Sequence, residues 1–305
     1  MARYVRFDRF GSLDVLRLET AEAPQAGPGQ VRVRVHTAGL NPVDLKILAG
    51  GPAAARYNVT PPSGNGNDFA GVIDHVGRGV TGFSAGDAVF GGLRMFAQAD
   101  YLVIDADQVL AKPPKLGFVE AGALDIAGRA AWAAVHSLHL TPADTVLVSA
   151  AAGGVGVLAA QLALRAGATV VGTASAANHD FLIGLGVVPV AYGDGLVDRL
   201  REVAPRYTAA LDNHGPATID AALALGVPGR RINTIAARGY RAEEGIAGIG
   251  GQSAEPGALA ELANLIAGGE VQLPIDSVYP VERVQDAYRH LAAGHLRGKV
   301  TVALE

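Results

Sequence analysis

The residues best suited to chemistry form a glycine turn. Residues 145–148 (Thr-Val-Leu-Val) read as a strand, Ser149 to Gly156 as a turn rich in alanine and glycine, and 157–164 as an apolar helix. A helix that starts at such a turn presents N–H groups without intrahelical acceptors and a partial positive charge, which suits a phosphate. Gly153 is expected to let the chain turn tightly, and Gly154 and Gly156 to leave room for a pyrophosphate and for helix packing. Ala152, Gly153, Gly154, Val155 and Gly156 are therefore the expected dinucleotide-binding turn. Ala150 and Ala151 stand where a strict G-x-G-x-x-G begins, but the helix ends at Arg165-Ala166-Gly167 and a second strand, 168–174, follows. That completes the βαβ unit of about 30 residues that the fingerprint requires.

The end of that second strand selects the cofactor. NAD enzymes place an acid about 20 residues after the glycines to hold the ribose 2′-hydroxyl. Here Ser175 takes the place, with no acid before Asp180, and Asn178 and His179 lie just beyond. Nothing repels a 2′-phosphate, so NADPH is expected over NADH, although no Lys or Arg stands nearby to grip it. Ser175 has a second reading as the N-cap of the following helix.

These residues need elements to hold them. Up to about residue 110 the apolar pattern has period two, with strands expected over 31–35, 69–73, 88–90 and 101–104. From about 120 to 267 strands alternate with helical segments: after 145–148 and 168–174 come 187–190, 208–211 and 231–235. A helix around 284–292 and a last strand over 299–304 close the chain, the strand returning to the β-rich domain. The expected fold class is α/β, a β-rich domain of residues 1–119 and 268–305 plus a doubly wound parallel-sheet domain of residues 120–267.

Composition excludes several functions. The chain has 305 residues, half of them hydrophobic, with a net charge of −4, which gives no reason to expect nucleic acid or an anionic membrane as partner. Residues 145–164 carry no charge over a membrane-spanning length, but their glycine centre argues for a buried strand and helix. The N-terminal residues break every apolar run with a charge, so no signal peptide is read and a cytoplasmic location is expected. No cysteine is present, which removes disulfides, thiolate nucleophiles and cysteine-based metal sites. His136 and His139 lie three apart on an expected helix without a third ligand, so no metal is expected.

Five ordered segments carry a resemblance: Phe10-Gly11 to Val15-Leu16, residues 39–46 (Gly-Leu-Asn-Pro-Val-Asp-Leu-Lys), residues 66–71 (Gly-Asn-Asp-Phe-Ala-Gly), the turn from Ala150 to Gly156, and residues 294–299 (Gly-His-Leu-Arg-Gly-Lys). Together they resemble the zinc-free quinone oxidoreductases, the zeta-crystallin-like branch of the medium-chain dehydrogenase/reductase superfamily. The resemblance implies a GroES-like catalytic domain and a Rossmann domain, with NADPH as hydride donor and its nicotinamide in the cleft between them. Quinones, enones and enals are the substrates it implies. Zinc-dependent relatives carry a cysteine near Asn41 to Asp44 and a histidine at the place of Asn67, and both are missing. Position by position, the resemblance puts Asn41, Asp44 and Lys46 at the nicotinamide end and Ser175 and Tyr192 near the adenosine phosphate. Asp212, Asn213 and His214, then Ile235 and Ala236, are expected to approach the cofactor from the ends of the fourth and fifth strands. The chain departs from the pattern at Ala130, where the branch commonly has a threonine, and at Lys46 and Pro52, where some quinone reductases have tyrosines.

Hydride addition to a conjugated carbonyl develops charge on its oxygen, which fixed donors must meet where no metal does. Asn41 and Lys46 are the expected donors, with backbone groups near Ile235 and Gly251 behind them. Lys46 has the alternative of pairing with Asp44 or a surface carboxylate and only ordering its loop. Asp68 is expected to hold the local turn. The function expected is a zinc-independent NADPH-dependent reductase of quinones or enones, acting as a homodimer. The alternative is an NADPH-binding protein with a structural or sensor role.

Overall fold

The structure, a computed structural model, describes residues 1–304. Two compact units divide the chain: Met1–Ile126, Ile275–Gly294 and the segment from Lys299 form one, and Ala127–Pro274 with His295–Gly298 form the other. The N-terminal stretch runs through β1 (Ala2–Phe7), β2 (Arg17–Ala21), β3 (Gln30–Gly39), α1 (Pro42–Leu48), α2 (Gly51–Arg56), β4 (Ser63–Gly64), β5 (Asp68–Val76), β6 (Ala88–Gly92), β7 (Tyr101–Asp105) and β8 (Leu110–Ala111), then α3 (Phe118–Ala121) and α4 (Asp125–His136). Alternation decides the buried face: Val31, Val33 and Val35 of β3 are buried, whereas Arg34 is exposed and Arg32 reaches across to Asp74 of β5 at 2.8 Å.

The second unit contains β9 (Thr145–Val148), α5 (Gly154–Arg165), β10 (Thr169–Ala174), α6 (His179–Gly184), β11 (Val188–Ala191), α7 (Leu196–Val203), β12 (Ala209–Asp212), α8 (Pro216–Ala224), β13 (Ile232–Thr234) and α9 (Ala258–Ala267). Its five strands are all parallel, in the order β11-β10-β9-β12-β13. The chain steps outward from β9 to β11, then returns to the other side at β12, so the topological switch point lies between β9 and β12. Leu147, Val171, Val190, Leu200, Ala210, Ile219 and Ile232 form a core on this sheet. The uncharged run 145–164 is strand, turn and helix, and no helix among the described residues is long and apolar enough to cross a membrane.

The tail adds β14 (Ile275–Pro280), α10 (Val284–Ala293) and β15 (Lys299–Ala303). β15 inserts between β14 and β3, completing the seven-stranded sheet of the first unit, while β2, β1 and β4 form a separate three-stranded sheet. β14 carries no apolar signal of its own, because as an edge strand it leaves alternate residues exposed and half-buried.

Candidate functional site

The glycine turn closes at the carboxyl edge of the parallel sheet. Helical hydrogen bonding in α5 begins with Val157 N–H donating to Gly153 O at 2.9 Å, leaving the amides of Gly154, Val155 and Gly156 without acceptors inside the helix. The left-handed residue of the turn is Ala150 (φ 47°), not Gly153, which is extended (φ −78°, ψ 172°) and occupies the N-cap. The cause lies on the neighbouring strand: Ala150 N–H donates to Thr173 Oγ1 at 3.3 Å and Ala151 N–H to Thr173 O at 2.9 Å, which fixes the backbone direction before the glycines begin. Gly156 is sterically obligatory, since a Cβ there would lie 2.1 Å from Ala150 O.

Asp212 organises the same edge. Its buried carboxylate accepts from Ser149 Oγ (3.2 Å), the amides of His214 and Gly215 (3.0 and 2.8 Å) and Thr234 Oγ1 (2.6 Å), and its carbonyl accepts from Ile235 N–H. Asn213 donates its backbone amide to Ser149 Oγ and its side-chain amide to Ser149 O. Asn213, His214, Ile235 and Ala236 are thereby gathered around the switch point, with His214 exposed. Gly251 packs on α4, where a Cβ would lie 3.2 Å from Arg129 Cβ and 3.5 Å from Ala130 N.

At the end of β10, Ser175 precedes a short turn whose backbone bond runs from Asn178 N–H to Ser175 O, and its hydroxyl makes no capping bond to the backbone. The cation that the local sequence lacked arrives from the tail. Arg297 Nε donates to Asn178 Oδ1 at 3.1 Å and Nη2 to Ala177 O at 3.3 Å, with its guanidinium 4.8 Å from the Phe181 ring centroid. Gly298 N–H donates to Ala152 O at 2.7 Å, so the same loop is hydrogen-bonded to the phosphate turn. Tyr192, half-exposed, bonds His295 Nδ1 at 3.0 Å, and His179 sits beside Ala174 O.

The first unit holds a buried polar cluster. Pro42 starts α1, Asn41 N–H donates to Asp44 Oδ2 at 2.8 Å and Asp44 N–H returns to Asn41 O. Asp44 also accepts from Asn67 Nδ2 (2.5 Å) and from Tyr288 OH (2.9 Å), and the tyrosine oxygen accepts from Asn65 and Gln98. Lys299, only 4% exposed, places its ammonium against Leu40 O (2.8 Å), Asn41 Oδ1 and Asp68 Oδ2 (3.4 Å). Asn41 Nδ2 donates to Asp68 Oδ2 at 3.0 Å, and Ile126 N–H to Asp68 Oδ1 at 3.1 Å. Burial pushes the Asp44 carboxyl up to about 7, with Asp68 adding repulsion and the Asn41 amide opposing it. Burial raises Asp68 as well, against the pull of Lys299. The Tyr288 hydroxyl is raised by burial and by the adjacent Asp44.

Two expectations change here. Asp68 does not tie a local turn; it opens β5 as the counter-charge of a lysine 231 residues away. Lys46 lies on the exposed face of α1 and pairs with neither Asp44 nor another acid among the described residues. The buried ammonium near Asn41 belongs to Lys299. Its signal in the sequence is a single charge opening an otherwise apolar β-branched strand, Lys-Val-Thr-Val-Ala, and Arg297 precedes it by two residues.

Comparison with known proteins agrees with both halves of this geometry. A model of the alcohol dehydrogenase GroES-like domain matches residues 27–114, and a model of the zinc-binding dehydrogenases matches residues 187–302. The chain is 30% identical to the 2-methylene-furan-3-one reductase of Solanum lycopersicum over 310 residues, covering 96% of this chain and 76% of that protein. It belongs to the medium-chain dehydrogenase/reductase superfamily. The two units are its GroES-like and Rossmann domains. A quinone oxidoreductase from Coxiella burnetii superposes with a TM-score of 0.89 at 28% identity, over 100% of this chain and 99% of that one. A pikromycin polyketide synthase component of Streptomyces venezuelae is 31% identical over 94% of this chain, which spans 8% of the synthase's length.

The superfamily brings two groups to test against these residues. Zinc does not fit: the chain has no cysteine, Asn67 donates its amide to Asp44, and the described residues contain no group of three His, Asp or Glu side chains able to hold an ion. A nicotinamide dinucleotide does fit, on the first-turn amides of α5 and the obligatory Gly156.

Proposed function

We propose that this chain is an oxidoreductase that uses NADPH, without zinc, to reduce a quinone or the double bond of an α,β-unsaturated carbonyl. The observation that carries the reading is the position of Arg297 beside Ala177 and Asn178, in the turn that Ser175 opens and in the loop that is hydrogen-bonded to the glycine turn. NADPH, when bound, supplies the hydride. The amides of Gly154, Val155 and Gly156 hold its pyrophosphate, and Ser175, Asn178, His179, Tyr192 and Arg297 hold the adenosine phosphate. Asn213, His214, Ile235, Ala236 and Gly251 line the sheet edge around the cofactor, and Asp44 orients Asn41. The carbonyl of the substrate accepts from the Asn41 amide and the Lys46 ammonium as negative charge grows on its oxygen, the kind of contact that lowers a barrier most when its donors are fixed beforehand. Lys299 and Asp68 fix the Asn41 amide by engaging both its oxygen and its nitrogen. The substrate class draws support from the tomato relative, whose named substrate has a methylene conjugated with a ring ketone; a quinone contains the same conjugated unit twice.

Calorimetric titration tests the cofactor. NADPH is expected to bind at least about tenfold more tightly than NADH, and Arg297→Met to weaken NADPH by about 10–100-fold with NADH within twofold, the range for a hydrogen bond to a charged group. Equal affinities in the unaltered protein would remove the 2′-phosphate assignment. NADPH oxidation against a panel of quinones and enones tests the chemistry, and rapid mixing tests the donors. Lys46→Met and Asn41→Ala should each slow hydride transfer with little change in NADPH affinity. Unchanged transfer in both variants would discard both donors, and NADPH binding without turnover of any acceptor would leave the sensor reading in its place.

A further inference from the structure

We propose that the recess beside α1 in the GroES-like domain selects substrates carrying a carboxylate, and that Arg94 reads it. The proposal rests on the reductase reading above and narrows its substrate class. The recess is a cavity of about 100 Å³ between Val43 and Ile47 of α1, Ile126 of α4, and the loop that follows β6. That is room for the end of a small molecule rather than all of it, and Val43, Ile47 and Ile126 give it apolar walls suited to a short hydrocarbon chain. Its charged lining residues are Arg94, which is exposed, and Asp125, which is buried.

Several arginines of the domain are engaged by acids: Arg3 by Asp100 and Glu282, Arg17 by Asp8 and Glu19, Arg32 by Asp74. Arg94 has no acid. Its guanidinium carbon lies 4.8 Å from the centroid of the Tyr57 ring, and Tyr57 lines the same recess. Stacking of this kind holds the plane of a guanidinium while leaving its edge donors open, which is the arrangement for bidentate capture of a carboxylate. The loop is held from both sides. Leu93 N–H donates to Asn67 O at 2.8 Å, and Met95 adopts a left-handed conformation (φ 60°) with its side chain 1% exposed. A left-handed methionine is unfavourable by itself, and its buried side chain offsets that cost and sets the direction in which Arg94 emerges. Asp125 also lines the recess, but it is 8% exposed and its carboxylate lies against Gly92, where a Cβ would fall 2.4 Å from Oδ2. The accessible charge is the cation.

The test compares an enone bearing a terminal carboxylate a few methylenes from the double bond with its methyl ester. The acid should show a KM about tenfold or more below that of the ester, and Arg94→Met should raise the acid's KM about 10–100-fold while leaving the ester's within twofold. Calorimetry with the saturated, unreactive oxo acid reads the recess without any turnover, so a failure of the reductase reading is separable from a failure of this one. Binding of that acid that is abolished in Arg94→Met supports the proposal whether or not the chain reduces anything. Equal handling of acid and ester by the unaltered protein, or equal loss of both in Arg94→Met, would overturn it.

Discussion

At the carboxyl edge of the Rossmann sheet the groups offered to a ligand are three consecutive backbone amides, at residues 154–156. In the GroES-like domain the comparable polar site consists of eight side chains, Asn41, Asp44, Asn65, Asn67, Asp68, Gln98, Tyr288 and Lys299, drawn from five separate stretches of chain. The first depends on which side chains are missing; the second depends on every side chain being present. A turn of backbone amides therefore tolerates change wherever a new Cβ has room. A closed network of buried charge tolerates almost none, because removing one member leaves another desolvated and unpaired.

Three measurements press on that contrast. The largest effect is expected for Lys299→Met, which leaves the Asp68 charge buried without its cation: unfolding in urea should show a loss of about 3–5 kcal/mol. A loss below about 1 kcal/mol would mean that the cluster repacks as easily as the turn. Next comes Gly156→Ala, whose Cβ would press on Ala150 O, with an expected loss of about 1–3 kcal/mol and a marked weakening of NADPH binding. Gly153→Ala is its control, because a Cβ there meets only Ala150 O at 3.3 Å, and its stability should stay within about 0.5 kcal/mol of the original. If the two alanine variants behave alike, steric exclusion is not what defines the turn.

The third is a slope, small at any one pH step. The Asp44 carboxyl is raised from 3.8 to about 7, so between those values the folded chain binds more proton than the unfolded one. Its contribution is complete below about pH 4 and is lost as the pH rises toward 7. Compared with Asp44→Asn, the unaltered protein should lose stability across that window at up to about 1.4 kcal/mol per pH unit. Parallel stability curves for the two proteins would place Asp44 in a better solvated setting than the cluster implies.

The same contrast explains what could be read from the chain beforehand. The parallel sheet, α5 and the phosphate turn follow from local patterns, because strand, glycine turn and helix are contiguous. Within the turn the left-handed residue fell on Ala150, since its cause, Thr173, stands on another strand. The lysine that touches Asn41 is Lys299, whereas the one near Asn41 in sequence is Lys46. Asp44 faces inward from α1, and two residues at about 100° each carry Lys46 to the opposite side of the helix. Lys299 and Arg297 stood in a stretch whose pattern resembled a family, yet their partners lie 119 to 259 residues upstream, and no local periodicity connects them.

β15 has a consequence for the order in which the chain matures. It separates β14 from β3, whose residues 30–34 pair with β7 on the same side, so a nascent chain whose synthesis has passed β8 holds β3 with residues 37–39 unpaired there, and with Asn41 and Asp68 waiting for an ammonium that does not yet exist. The Rossmann sheet meets no such delay, since its five strands are complete by residue 234. Synthesis thus completes the sheet of the cofactor domain while the other sheet remains open at residues 37–39 of β3, a short strand edge of the sort that chaperones and proteases recognise. Arg297 and then Lys299 emerge two residues apart, so the two domains receive their decisive cations almost at the same moment.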